Sequence, residues 1–178
     1  MKRLRTKVGV AAGLSVVAWA GAMGLASSDG EVETLSGFEE VPALVTLGSG
    51  SFQSSINEEA GEVYYGLTFG NLESPVTQAH IHFENATNNG PIVVFLCSNL
   101  PTAPAGTQPC PAGGGTITGT IRAADVGAGA AAQGLDAGEF DSFVRALRSG
   151  STYVNVHSVD RPAGEIRAQL NDDSHRHH

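Results

Sequence analysis

Lysine is absent from the chain after Lys7, and beyond residue 26 the strong bases are six arginines set against 18 acidic residues. A surface so short of cationic groups repels phosphates and anionic headgroups, because binding either requires positive contacts. Nucleic acid is therefore excluded as an expected partner, and so is a membrane once the N-terminal segment is removed. Charged residues make up 16% of the chain and aromatics 6%, and long amphipathic stretches are scarce. That scarcity argues against a helical bundle. No glycine-rich loop leads into a helix, as a phosphate-binding site would need. No G-x-S-x-G nucleophile elbow is present, since the run 48–51 has the wrong spacing. Cysteine is limited to Cys97 and Cys110, and neither lies near the leader, so lipid attachment there is not expected.

What the chain has is glycine, 23 residues of it, and short apolar alternations between turn-rich segments. With 178 residues there is enough chain for one domain with a sizeable core. Residues 1–7 are basic and residues 8–26 are apolar and uncharged, with Gly24 and Ala26 at the −3 and −1 positions of a cleavage site. This is the three-part pattern of a signal peptide over residues 1–26, and an uncleaved anchor is its alternative. The expected location is outside the cytoplasm: secreted, periplasmic or at the cell surface. An even pair of cysteines in an exported chain predicts a Cys97–Cys110 disulfide closing a Pro/Gly-rich loop.

Strands are predicted over 31–37, 48–57, 61–69, 75–83, 91–97, 115–122, 151–157 and 164–170. Residues 57–61 form a hairpin turn between the second and third. One helix is predicted near 138–149, where Phe140, Phe143, Val144 and Leu147 recur at helical spacing and Gly150 can end it. Residues 123–137 have no clear period and read as loop. The fold class is therefore all-β: an antiparallel Greek-key sandwich or barrel of about eight strands with one short helix, over residues 27–170. The tail 171–178 is polar and His-rich and is expected to be disordered.

Candidate chemistry concentrates in histidine. Outside the tail the residues are His80, His82 and His157. His80 and His82 sit at i and i+2 of one strand and so share a face. A third imidazole from another strand would complete a three-nitrogen metal site, and neutral imidazole suits copper and zinc. All three oppose apolar residues along their strands, which predicts a site on the solvent side of the sheet, with the loop 98–115 as its cover. Asn155, Glu165 and Arg167 lie on neighbouring strand faces and are candidates to support the ligands. The competing reading has the histidines as structural hydrogen-bonding groups, with His157 donating to a backbone carbonyl. The acid pairs Glu39/Glu40 and Glu58/Glu59 read as solvated turn charges, and Glu165 with Arg167 as a surface ion pair.

Several stretches resemble the CHRD (chordin-type) domain: residues 35–42 (LSGFEEVP), 79–83 (AHIHF) with 90–97 (GPIVVFLC), 115–119 (GTITG) and 153–170 (YVNVHSVDRPAGEIRAQL). Ala43 stands where that family usually has a second proline. The resemblance implies an extracellular binding domain. Such domains occur in chordin, a growth-factor antagonist, and in many exported bacterial proteins, and no enzymatic activity defines them. The H-x-H strand with a later histidine is also similar to the copper half of Cu/Zn superoxide dismutase, although a fourth copper-ligand histidine and the zinc set are lacking. Three readings follow: a binding domain with a copper or zinc site, a metal-free module for an extracellular protein or surface polymer, and a copper-dependent superoxide-type oxidoreductase.

Overall fold

Strands with apolar residues at every second position must bury one face. Here eight of them do so around a shared interior. The computed structural model describes residues 32–171. The expected leader, and the tail beyond Asn171, lie outside the described residues. The strands are β1 (Val32–Ser36), β2 (Ser49–Asn57), β3 (Glu62–Gly70), β4 (Val76–Phe83), β5 (Ile92–Ser98), β6 (Gly115–Ile121), β7 (Thr152–Ser158) and β8 (Ile166–Leu170). All neighbouring pairs are antiparallel, in the order β5-β4-β7-β8-β1-β2-β3-β6. The ends of that order, β5 and β6, curl towards each other and nearly close a barrel. The link from β3 to β4 crosses the barrel end beside Gly48 and the start of β8, where Glu73 N–H donates to Glu165, and the link from β6 to β7 runs past β5, where Gly127 N–H donates to Val93 O; neither link joins strands that are neighbours in the sheet, which is Greek-key connectivity.

The alternation works as expected inside the barrel. Val63, Leu67 and Phe69 of β3, Ala79 and Ile81 of β4, Val154 and Val156 of β7, and Ile166 and Ala168 of β8 are all buried in one core. Along β2 and β3 the hairpin pairs in unbroken register from Ser49↔Gly70 to Asn57↔Glu62. The segment 123–137 contains two short 3-10 turns, Ala123–Asp125 and Ala128–Gln133. The second lies against β5.

The helix α1 (Phe140–Arg148) buries Phe143, Val144, Ala146 and Leu147 over the core. Asp141 stands in its first turn and Arg145 and Arg148 in its last, which complements the helix dipole. Its end is a Schellman turn: Ser151 N–H donates to Ala146 O and Gly150 N–H to Leu147 O. Gly150 has φ +71°, which glycine adopts without strain.

Cys97 and Cys110 form the expected disulfide, with Cα atoms 5.0 Å apart. The loop it closes does not cover the histidines. It lies over the gap between β5 and β6, where Gln108 Nε2 donates to Leu96 O of β5 and Thr118 O of β6. This seam leaves a cavity of about 690 Å³, bordered by Tyr65, Phe95 and the loop.

Phe143 is fully enclosed, so Phe143→Ala is expected to cost about 3–5 kcal/mol in denaturant unfolding. The non-reduced protein is expected to titrate no thiols, and reduction to lower stability by about 2–3 kcal/mol.

Candidate metal centre

The register between β4 and β7 decides whether the third imidazole can reach the other two. Gln78 pairs with His157, His80 with Asn155 and His82 with Tyr153. His157 is therefore a diagonal neighbour of His80 on the same sheet face, a separation that long side chains bridge. On its other side β4 meets β5 with register shifts between Ala79 and His80 and between Ile81 and His82. Bulges of this kind re-aim side chains, and here they flank each histidine of the H-x-H pair.

The three rings converge. Their centroids are 5.5 Å apart for His80–His82, 5.0 Å for His80–His157 and 5.8 Å for His82–His157. One nitrogen from each lies within 4.8 Å of the others. His82 donates Nδ1–H to Gly90 O at 2.9 Å, and His157 donates Nδ1–H to Pro162 O at 3.1 Å. Both bonds set the tautomer, leaving a lone pair on Nε2 of each ring. With its Nδ1–H given to Pro162, His157 accepts at Nε2 a hydrogen bond from His80 Nδ1–H at 3.2 Å, which a metal at this point would replace. Two nitrogens bound about 2.0–2.1 Å from one tetrahedral metal would be about 3.3 Å apart. Nε2 of His80 and Nε2 of His82 are buried without a hydrogen-bond partner. A buried nitrogen lacking a partner is costly in a stable fold, and a bound ion would remove that cost at His82.

The expected solvent exposure of this face is corrected by the structure. His80 is 0% exposed, His82 7% and His157 5%. An antiparallel sheet commonly leaves one face in water, but here three chain segments fold over the outer face of β4, β7 and β8. Segment 37–46 contributes Glu40, which accepts a bond from Asn155 Nδ2 at 2.7 Å. Loop 84–91 contributes backbone oxygens that hold Arg167, and the Gly90 N–H donated to the Tyr153 hydroxyl. The turn 159–164 contributes Pro162. Gly164 is needed there, because a Cβ on it would lie 2.4 Å from Asn155 Oδ1 and its φ is +132°.

The expected supporting residues have definite places. Asn155 bonds Glu40 and Ile166 O rather than a ring. Glu165 accepts from the Ser158 and Thr46 hydroxyls and from Glu73 N–H, which ties three connections together. Arg167 donates to Asn88 O, Asn89 Oδ1 and Asn85 O. In place of the expected surface ion pair, both residues are buried and occupied elsewhere. Glu40, expected as a solvated turn charge, is buried as well.

Two aromatic rings that the spacing did not mark out complete the wall. Tyr153 stacks on His82 with centroids 4.7 Å apart and planes 3° from parallel. The Arg167 guanidinium lies 3.4 Å over the other side of the Tyr153 ring. Phe95 meets His80 edge-on at 4.5 Å. Tyr153 could be anticipated, since it shares a face with His157 by the two-residue period. Phe95 could not, because it lies in a continuous apolar run.

Burial keeps all three rings neutral. Desolvation first, then His157 and His82, lowers the His80 pKa to about 2. Desolvation lowers His82 to about 4, partly offset by the Gly90 bond and aided by Arg167. Desolvation and His82 lower His157 to about 4, partly offset by the Pro162 bond. Glu40 moves the other way, raised by burial to about 7 despite its bond from Asn155.

The CHRD domain family model matches residues 32–170. No curated protein and no solved structure matches the chain. The similarity to superoxide dismutase rests on the histidine pattern alone.

These shifts set a pH dependence for the metal-free protein. Between about pH 4 and 6.5 the unfolded chain binds more protons at the three histidines than the folded chain does, so their contribution is lost as pH falls. Glu40 binds its proton more tightly when folded, and its opposite contribution fades as pH rises through about 7. Three groups outweigh one. Unfolding free energy is expected to drop by on the order of 3–5 kcal/mol from pH 6.5 to 4.5, read from denaturant midpoints. A midpoint that stays level would mean that the rings protonate freely.

Proposed function

The chain belongs to the CHRD domain family, and from that premise we propose an exported binding domain whose three-histidine centre holds one copper or zinc ion. The observation that carries this reading is the convergence of three neutral imidazoles, with buried ring nitrogens left unpartnered. Backbone carbonyls orient two of the rings, which is the arrangement that outer groups give to metal ligands. Export is supported by the disulfide, a bond that persists in oxidising compartments. No helix among the described residues is long and apolar enough to cross a membrane.

A second reading, recognition of an extracellular protein or surface polymer without metal, is favoured by a separate observation. Phe38 and Val45, on the segment that covers Asn155, and the adjoining Leu47 are 69%, 80% and 86% exposed. Apolar side chains clustered on one exposed segment suit a contact surface. The two readings are compatible, since these side chains and the three rings are different groups.

The full chain with His175→Ala, His177→Ala and His178→Ala removes loose metal capture by the tail. It is expected to bind one copper or zinc ion per chain by elemental analysis after reconstitution. His157→Ala in that background is expected to weaken binding at least about 100-fold. Excess metal at 100 times Kd is expected to raise stability by about 2.7 kcal/mol. Substoichiometric metal, or an affinity indifferent to His157→Ala, would overturn the metal reading.

A further inference from the structure

We infer that this centre is a monovalent copper site, built to hold Cu(I) in preference to Cu(II) or Zn(II). The inference rests on the metal-binding reading above and adds the ion's identity and valence.

The first argument is charge. The convergent donors are three imidazoles, with no carboxylate or thiolate among them. A divalent ion would keep its full double charge between side chains that are almost wholly out of water. The cost of burying an ion grows with the square of its charge, so a divalent ion costs about four times as much as a monovalent one of similar size. The buried carboxylates nearest this face, Glu40 and Glu165, bond Asn155 and the Ser158, Thr46 and Glu73 donors rather than a ring. Phe95 and Tyr153 are the rings against the histidines. The charged side chain stacked behind Tyr153 is the guanidinium of Arg167, 3.4 Å from the ring centroid. A second positive charge at the centre is opposed from that side.

The second argument is coordination. Zinc bound by three protein ligands completes a tetrahedron with a fourth donor. The described residues offer three, so the fourth would be a water, which has to be held between rings that are almost wholly out of solvent. Cu(I) has a filled d shell, a low charge and a stable three-coordinate state, so three neutral nitrogens satisfy it. Cu(II) favours tetragonal nitrogen and oxygen sets. Three imidazoles fixed by two backbone carbonyls and an antiparallel register cannot spread to supply one.

The test uses the full chain carrying the three tail substitutions. Cu(I) is supplied anaerobically with ascorbate and titrated against bicinchoninate, Zn(II) is titrated against a chromophoric zinc chelator, and Cu(II) is followed by electron paramagnetic resonance. One Cu(I) per chain is expected, with Cu(I) favoured over Cu(II) about 1,000-fold more than in water. That preference appears as a midpoint potential about 180 mV above the aqueous copper couple, at 59 mV per tenfold for one electron. X-ray absorption of the Cu(I) protein is expected to show three nitrogen neighbours at about 2.0 Å, a readout that needs no histidine variant to fold. A potential at or below the aqueous couple, a four-coordinate copper, or Zn(II) held more tightly than Cu(I) would overturn the valence assignment while leaving the metal site in place. Failure to bind Cu(I), Cu(II) and Zn(II) alike would overturn both readings.

Discussion

A polar sheet face taken out of water is the constraint on which the rest depends. β4, β7 and β8 present His80, His82, Tyr153, Asn155, His157 and Arg167 on the side away from the barrel core, and all six are buried. Such groups are tolerated only when their hydrogen-bonding demands are met. The demands are met by loops: Arg167 collects the oxygens of 85–89, and Glu165 gathers donors from Thr46, Glu73 and Ser158. These bonds join segments far apart in sequence. They explain why three connections that could have been mobile lie flat on the sheet.

That cover also gives the histidines their chemistry. An imidazole in water near neutral pH is partly protonated, and so partly unavailable to a metal. The same ring under the loops is a free base over the physiological range, because burial disfavours its charge. Carbonyls of the covering segments, Gly90 and Pro162, then choose which nitrogen carries the proton. A single act of folding thus excludes water, neutralises the rings and aims their lone pairs. His80 Nε2, His82 Nε2 and Asn155 Oδ1 remain without hydrogen-bond partners on this face, and a centre that takes a ligand accounts for the one at His82.

Much of the scaffold is a local matter. Apolar alternation, and a continuous apolar run for β5, predict the eight strands to within about two residues at each end, and the i, i+3, i+4, i+7 pattern from Phe140 to Leu147 marks the helix. The disulfide follows from an even cysteine count. The same local logic failed on the outer face, where a polar residue opposite valine was read as solvent-facing. It failed again for Glu40, which stands beside another acid in a turn-like segment yet is buried by contact with Asn155 and Gly164. The loop 98–115, rich in proline and glycine, offered itself as a cover, but its disulfide and Gln108 anchor it over the β5–β6 seam.

By itself the amino-acid sequence determined an all-β chain and put His80 beside His82 on one face, since strand pleating follows from covalent geometry and needs no distant partner. It also put His157 on the face opposite Val154 and Val156. Only the tertiary structure decided that β7 lies next to β4 in the register that sets His157 diagonal to His80, and that loops 37–46, 84–91 and 159–164 close over them. Register and cover come from contacts between segments dozens of residues apart, and such contacts leave no periodic trace in the sequence that makes them.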